Sequence, residues 1–298
     1  MRKILPGAGV AFVACIWGST FLIIKHSLIS INPIALVTYR FWLTTIILAF
    51  ITYFTNAPLK RHWKEGFILG TIMFMQLCLM AIGLQYTTAS NAAFINGLFL
   101  LFVPLFGFLL FKRIPKKKEL YAFLISLLGI WILTGGLKHL NNGDIFILLN
   151  AALNGLFIDL VNRYVKEHIH PISLIFQESL FITLYGLIIM FIFHIPFKLS
   201  DFSSYFGITY LAVFAGVIGF AIYFTAQKYL QTSTTSILQS LQLVFGAFFA
   251  LTIGGEHFTH LQILGGLVIL LSIFIIEFPS VSYFKTLQKS FSNYQLKK

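Results

Sequence analysis

The chain has 298 residues, of which 58% are hydrophobic and only 10% are charged, and its formal net charge is +12. So few charged residues cannot cover the surface of a soluble domain of this length, which excludes an ordinary soluble enzyme or binding domain. The apolar residues stand in blocks of about 20, the length at which a helix crosses the roughly 30 Å hydrocarbon core of a bilayer. Continuous apolar character favours helices over barrel strands, which alternate with period two. The composition therefore predicts an all-α integral membrane protein.

In chain order, the apolar blocks predict ten transmembrane helices joined by short loops. The first five are Gly7–Ile24, Pro33–Phe54, Gly66–Leu84, Asn91–Phe111 and Leu120–Leu137. The next five are Asp144–Val161, Pro171–Ile195, Ser204–Phe224, Ser233–Ile253 and Leu261–Phe278, followed by a basic tail over residues 279–298. The loops are too short to hold a soluble domain.

The positive charge is distributed unevenly between the loops. If the amino terminus is cytoplasmic, seventeen Lys and Arg residues fall on the cytoplasmic side and only Lys25, Lys138 and Lys198 on the other, with Arg40 inside a span. This asymmetry follows the positive-inside rule and predicts that both termini are cytoplasmic. The basic excess is therefore interpreted as a topology signal, and no nucleic-acid partner is expected.

The two halves of the chain carry the same sparse pattern. Trp17-Gly18 precedes Pro33 and Arg40 in the first half, as Asn154-Gly155 precedes Pro171 and Glu178 in the second. Each of the two charged residues stands seven positions after its proline. Because five helices is an odd number, two such halves must enter the membrane from opposite sides. We therefore predict two inverted five-helix repeats, residues 7–137 and 144–278, with a substrate site near the midplane between them.

Several short segments carry a resemblance to a known family. They are Ile16–Phe21 (IWGSTF), Thr87–Leu98 (TTASNAAFINGL), Val103–Leu105 (VPL), Gly255-Glu256 and Gly265-Gly266. In this order and spacing they resemble the EamA family of the drug/metabolite transporter superfamily, from about Gly7 to Phe278. The sequence departs from that family where Gln242-Leu243 replaces the common Glu-Pro, and where Lys112-Arg113 replaces a common Gly-Glu. The resemblance implies a proton- or exchange-coupled carrier of small metabolites, often amino acids or drugs, that uses no nucleotide.

Two charged residues lie deep within predicted spans. A charge at this depth is costly and normally faces a cavity or a partner. The planar guanidinium of Arg40 suits a substrate carboxylate, although a structural ion pair is the alternative. Glu178 is the candidate proton-coupling residue, since intramembrane carboxyl groups commonly form proton relays; a structural carboxyl is the alternative.

Polar and aromatic residues inside the spans complete the predicted substrate-binding set. That set is Trp17, Ser19, Tyr39, Arg40, Gln76, Asn91, Asn96, Asn150, Asn154, Tyr223, Gln239 and Gln242. Neutral polar residues in membrane helices also form interhelical hydrogen bonds, and aromatic residues also pack, so a structural role is the alternative at each position.

These observations predict a secondary transporter that moves a small metabolite, an amino acid or amino-acid-like compound, across a bacterial inner membrane by alternating access. S-adenosylmethionine or another nucleoside-type metabolite is the alternative cargo. An intramembrane enzyme or a channel is the alternative class, but the sequence has no H-E-x-x-H motif, no intramembrane pair of aspartates and no glycine-rich phosphate loop. The expected partners are the substrate and the lipid bilayer, the expected state is a monomer or weak homodimer, and no cofactor or metal is expected.

Overall fold

The computed structural model describes residues 4–59, 61–112, 141–197, 202–230 and 232–277, with scattered positions between 114 and 132. Within these residues the regular secondary structure is helical. The first half contains α1 (Ile4–Ser27), α2 (Pro33–Thr55), α3 (Trp63–Tyr86), α4 (Ala89–Asn96) and α5 (Phe99–Phe111). The second contains α6 (Asn142–Lys166), α7 (Pro171–Ile192), α8 (Phe202–Tyr210), a π-helix (Leu211–Ile218), α9 (Gly219–Gln227), α10 (Thr232–Thr252) and α11 (His260–Glu277).

Eight helical stretches in the described ranges are long and apolar enough to cross a membrane, so the chain is a multi-pass membrane protein. One of the eight runs through α4 and α5, and another runs from α8 through the π-helix to α9. The predicted tenth span coincides with the 18-residue helix α11, which is not among the eight. The predicted fifth span and the basic tail lie largely or wholly outside the described residues.

Local capping determines where several helices begin. Pro33 and Pro171 occupy the first turn of α2 and α7, where a missing backbone N–H costs nothing. The Asn32 side chain accepts from the Ile34 N–H at 2.9 Å. At the start of α6, Asn141 and Asp144 cap each other's backbone N–H groups. The residues that interrupt the apolar blocks in the sequence are thus the residues that cap the starts of the helices.

A carboxylate from a distant loop caps the start of α4. Glu256, between α10 and α11, accepts hydrogen bonds from the Ala89 N–H at 2.8 Å, the Ser90 N–H at 3.1 Å and the Ser90 hydroxyl at 2.6 Å. Next to it, the Lys25 ammonium at the end of α1 donates to the Thr87 carbonyl at 2.5 Å. The ends of α1, α4 and α10 are thereby joined.

The helix pairs meet at glycine positions. An added Cβ at Gly18 of α1 would lie 2.6 Å from the Phe245 Cβ and 3.0 Å from the Gln242 carbonyl oxygen of α10. The α6–α5 contact has the same form, since a Cβ at Gly155 would lie 2.5 Å from the Phe102 Cβ and 3.0 Å from a carbonyl oxygen three residues earlier. Only glycine permits these approaches, as is common in membrane helix pairs.

Helix α2 packs against α7. At this contact the hydroxyls of Thr45 and Thr183 are hydrogen-bonded at 3.1 Å. Each threonine stands twelve residues after the proline that opens its helix, so corresponding positions of the two helices contact each other.

Candidate functional site

Seven helices (α1, α2, α3, α4, α6, α9 and α10) surround a cavity. It is lined by Trp17, Thr20, Phe21, Arg40, Met73, Gln76, Leu77, Met80, Asn96, Asn150, Asn154, Phe157, Phe220, Tyr223, Gln239 and Gln242. Small-molecule sites usually combine an apolar lining with a few polar groups. The cavity fits that description.

Nine of the twelve residues predicted to bind substrate line this cavity. These residues lie on seven helices that are distant in sequence. They are Trp17, Arg40, Gln76, Asn96, Asn150, Asn154, Tyr223, Gln239 and Gln242. Their polar groups therefore lie close together in space, although the residues are far apart in the sequence. Whether they bind a substrate stays a prediction.

The other three predicted residues lie elsewhere and have protein partners. The Ser19 hydroxyl donates to the Ile16 carbonyl at 2.7 Å and lies 2.8 Å from a tyrosine hydroxyl on α8. The Tyr39 hydroxyl donates to the Pro196 carbonyl at 3.4 Å. The Asn91 side-chain oxygen accepts from Gln262 on α11 at 3.1 Å. Ser19 and Asn91 therefore bond to other helices and Tyr39 to the segment after α7; whether these residues also bind substrate stays a prediction.

Arg40 is the charged residue of the cavity. Its side chain is 5% exposed, and among the described residues its Nε has no hydrogen-bond partner. The guanidinium carbon lies 5.1 Å from the centre of the Phe41 ring, a weak compensation for a buried charge. No Asp or Glu appears among the described residues of the lining. A buried cation in this position attracts an anionic ligand.

The amide side chains of the cavity are only partly satisfied by one another. The Asn150 Nδ2 donates to the Asn96 Oδ1 at 2.7 Å, and the Tyr223 hydroxyl donates to the Gln239 Oε1. Three further buried atoms have no partner among the described residues: Gln76 Oε1, Asn150 Oδ1 and Gln242 Nε2. With the Arg40 Nε, four buried atoms of the lining residues, two donors and two acceptors, therefore have no partner within the described part of the chain. Buried polar atoms are normally paired, so these are positions for a ligand or for water.

The π-helix fixes the aromatic wall of the cavity. Wider i→i+5 turns leave some carbonyl groups available to other donors. The Ala215 carbonyl accepts from the Trp17 indole N–H at 3.1 Å, and the Ala212 carbonyl accepts from the Thr44 hydroxyl at 3.2 Å. Trp17 then lies with its ring centre 5.0 Å from that of Tyr223. The rings of Trp17 and Tyr223, tilted 58° to each other, thus form one wall of the cavity.

Glu178, the predicted proton-coupling residue, is buried in α7 but does not line the cavity. Neither carboxyl oxygen has a hydrogen-bond partner among the described residues. The backbone of α7 at this position lies against Gly70 of α3, where an added Cβ would approach the Glu178 carbonyl oxygen to 2.9 Å. The carboxyl group is therefore held between tightly packed helices.

Sequence reasoning missed Thr20 and the apolar part of the lining: Phe21, Met73, Leu77, Met80, Phe157 and Phe220. Met73, Leu77 and Met80 share one face of α3 with Gln76, as their helical spacing shows. In a helix that is apolar on every side, such residues do not differ from those that face lipid. The polar residue beside them was the available signal.

Comparisons with known proteins agree on one family. The sequence profile described as "EamA-like transporter family" matches residues 5–135 and again residues 141–278. An uncharacterised transporter of Archaeoglobus fulgidus is 28% identical over 286 residues, covering 93% of this chain and 87% of the relative. A Salmonella typhimurium protein named a probable amino-acid metabolite efflux pump is 23% identical over 276 residues, covering 88% and 91%. A crystal structure with 13% sequence identity has a TM-score of 0.69, covering 90% of this chain and 95% of that one, and so shares the fold.

Proposed function

The chain belongs to the EamA-like transporter family, and we propose that it is a secondary transporter that moves an amino acid or amino-acid-like compound across a bacterial inner membrane. The observation that carries the cargo class is the buried guanidinium of Arg40 in a cavity whose described lining has no carboxylate. Family and relatives are transporters rather than enzymes. The name of the Salmonella relative also supports this cargo class.

The proposed architecture is ten transmembrane helices in two inverted repeats, residues 7–137 and 144–278, with both termini and the tail at 279–298 cytoplasmic. Three observations support it. The family profile matches the chain twice, Gly18 and Gly155 make the same contact in the two halves, and Thr45 pairs with its counterpart Thr183. In an inverted repeat, corresponding residues that touch lie on the pseudo-twofold axis in the membrane plane. The transporter acts as a monomer or weak homodimer.

In the proposed mechanism, Arg40 binds the substrate carboxylate and the free amide groups of Gln76, Asn150 and Gln242 orient the rest of the molecule. Trp17 and Tyr223 contact its apolar part. Rocking of the two repeats about the Thr45–Thr183 contact exposes the cavity to one side and then the other, as in other inverted-repeat carriers. Transport is coupled to protons, through Glu178, or to exchange of a second substrate.

The charge of the cavity argues against S-adenosylmethionine as the cargo. That molecule carries a sulfonium and an ammonium against a single carboxylate, so it would add a net positive charge beside Arg40. Like charges in a poorly solvated cavity repel strongly.

Transport by purified protein in liposomes tests the role of Arg40. Uptake of a panel of radiolabelled amino acids and related carboxylic acids should be lost in Arg40→Gln, because the anion loses its only described cationic partner. Arg61→Gln is the matched control, since its side chain is exposed and away from the cavity. Equal uptake by wild type and Arg40→Gln would remove Arg40 from the site.

A pH gradient tests the role of Glu178. Wild-type uptake should respond to an imposed proton gradient, and Glu178→Gln should make uptake independent of it while exchange persists. Glu167→Gln, at an exposed glutamate, is the control. An unchanged gradient response in Glu178→Gln would contradict the coupling role.

A further inference from the structure

We infer that the cargo occupies the cavity as a net monoanion, a carboxylic acid whose second polar group is a neutral O–H or N–H donor rather than an ammonium group. This inference rests on the proposed function and narrows its substrate class. Hydroxy acids and N-acylated amino acids, which belong to the amino-acid-like part of the proposed cargo class, have this chemistry. Free amino acids, the other part of that class, are zwitterions and do not.

The net charge of the cavity lining favours an anionic ligand. Among the described residues, Arg40 supplies the whole formal charge of the lining, since the other fifteen lining residues are amide, hydroxyl, thioether or hydrocarbon groups. A monoanion makes the filled cavity neutral. A zwitterion leaves it with the same net positive charge as the empty cavity, now removed from solvent. Uncompensated charge in the membrane interior is strongly unfavourable.

The unpaired polar atoms of the lining residues favour a carboxylate together with a neutral donor. The free donors are Arg40 Nε and Gln242 Nε2, and they match the two oxygens of a carboxylate. The free acceptors are Gln76 Oε1 and Asn150 Oδ1, both neutral amide oxygens. A neutral O–H or N–H donor of the ligand can bond to either oxygen. An ammonium group has three protons and a full charge, and no carboxylate of the described lining neutralises it.

The apolar residues of the lining favour a ligand with an apolar side chain. Tyr223 and Phe220 lie with their ring centres 5.0 and 5.5 Å from that of Trp17, and Met73, Leu77 and Met80 face the same space from α3. This surface fits a branched or aromatic side chain. A 2-hydroxy acid or an N-acylated amino acid with an apolar side chain matches the charge, the unpaired polar atoms and the apolar surface of the cavity.

Ligands that share a side chain but differ in net charge separate the effect of charge from the preference for a side chain. The probes are 3-phenyllactate, phenylalanine and phenylalaninamide, together with 2-hydroxyisocaproate, leucine and leucinamide. Within each set the side chain is constant and the net charge changes from negative to neutral to positive. Binding to the purified protein is measured by calorimetry, and uptake is measured in liposomes. The hydroxy acid should bind at least about tenfold more tightly than its amino acid, and the amide should not bind.

Two variants connect the result to Arg40. Arg40→Gln should lose the preference for the hydroxy acid, and Arg40→Lys should retain it with weaker binding, because the charge remains and the planar fork is lost. Tighter or equal binding of the amino acid in wild type would overturn the monoanion inference and leave the transporter proposal intact. Binding of neither acid, with no uptake, would contradict both. An unchanged preference in a folded Arg40→Gln would also overturn the inference.

Discussion

The carboxylate of Glu256 is expected to stabilise the fold by capping the start of α4. It accepts three hydrogen bonds, from the Ala89 and Ser90 backbone N–H groups and from the Ser90 hydroxyl. In Glu256→Gln one oxygen becomes an NH₂ group that faces a backbone N–H, and the negative charge at the helix N-terminus disappears.

The size of the loss follows from these contacts. A hydrogen bond to a charged group contributes about 1.5–3 kcal/mol, and a negative charge at a helix N-terminus about 0.3–1 kcal/mol. The side chain is only partly buried, so solvent screening reduces the sum to about 1–2 kcal/mol. For a chain of this size that corresponds to a fall of roughly 2–8 °C in the unfolding midpoint.

Thermal unfolding of the purified variants in detergent measures this loss. Glu167→Gln is the matched control, because it makes the same chemical change in an exposed i,i+4 pair with Arg163, where solvent screening leaves little stability to lose. Ser90→Ala should cost less after Glu256→Gln than in wild type, since the two residues share a bond. A midpoint shift in Glu256→Gln no larger than in the control would refute the reasoning.

Three further predictions concern packing and topology. Gly155→Ala places a Cβ 2.5 Å from a neighbouring Cβ and should lower the free energy of unfolding by about 1–3 kcal/mol; unchanged thermal stability would contradict the close contact. Thr45→Val and Thr183→Val should be non-additive by about 0.6 kcal/mol in a double-mutant cycle, and strict additivity would argue against their hydrogen bond. Reporter fusions after Lys298 should report the cytoplasm and after His257 the periplasm, and the opposite pattern would invalidate the proposed orientation.

The sequence predicts the helices well because the apolar blocks are set by bilayer thickness. It does not predict the break between α4 and α5 at Gly97, since the predicted span Asn91–Phe111 runs through it. Gly97 is packed against Leu243 of α10, a contact between segments distant in sequence. The π-helix at Leu211–Ile218 escapes prediction for the same reason, because its free carbonyls are satisfied by side chains of α1 and α2.

The cavity is predictable to the extent that polar residues stand out in apolar spans. Arg40 and Gln76 are found in this way, and both line it. Ser19, Tyr39 and Asn91 stand out equally but bond to residues outside the cavity lining. A helix that is apolar on all sides gives no indication of which face is buried against which neighbour. Which polar residues meet therefore depends on packing, which the spacing along one helix does not contain.

The π-helix also affects how the chain can change in length. Each of its hydrogen-bonded rings contains one more residue than a ring of an α-helix, so it can absorb an insertion without interrupting the span. A residue gained or lost before Leu211 would rotate α8 relative to α1, whose Ser19 contacts Tyr210, while the π-helical turns take up the change in register. Tyr223, on the far side of Leu211–Ile218, would keep its direction toward the cavity. The segment thus isolates the binding residues from insertions and deletions in the preceding loop, and length differences among relatives are expected to concentrate there.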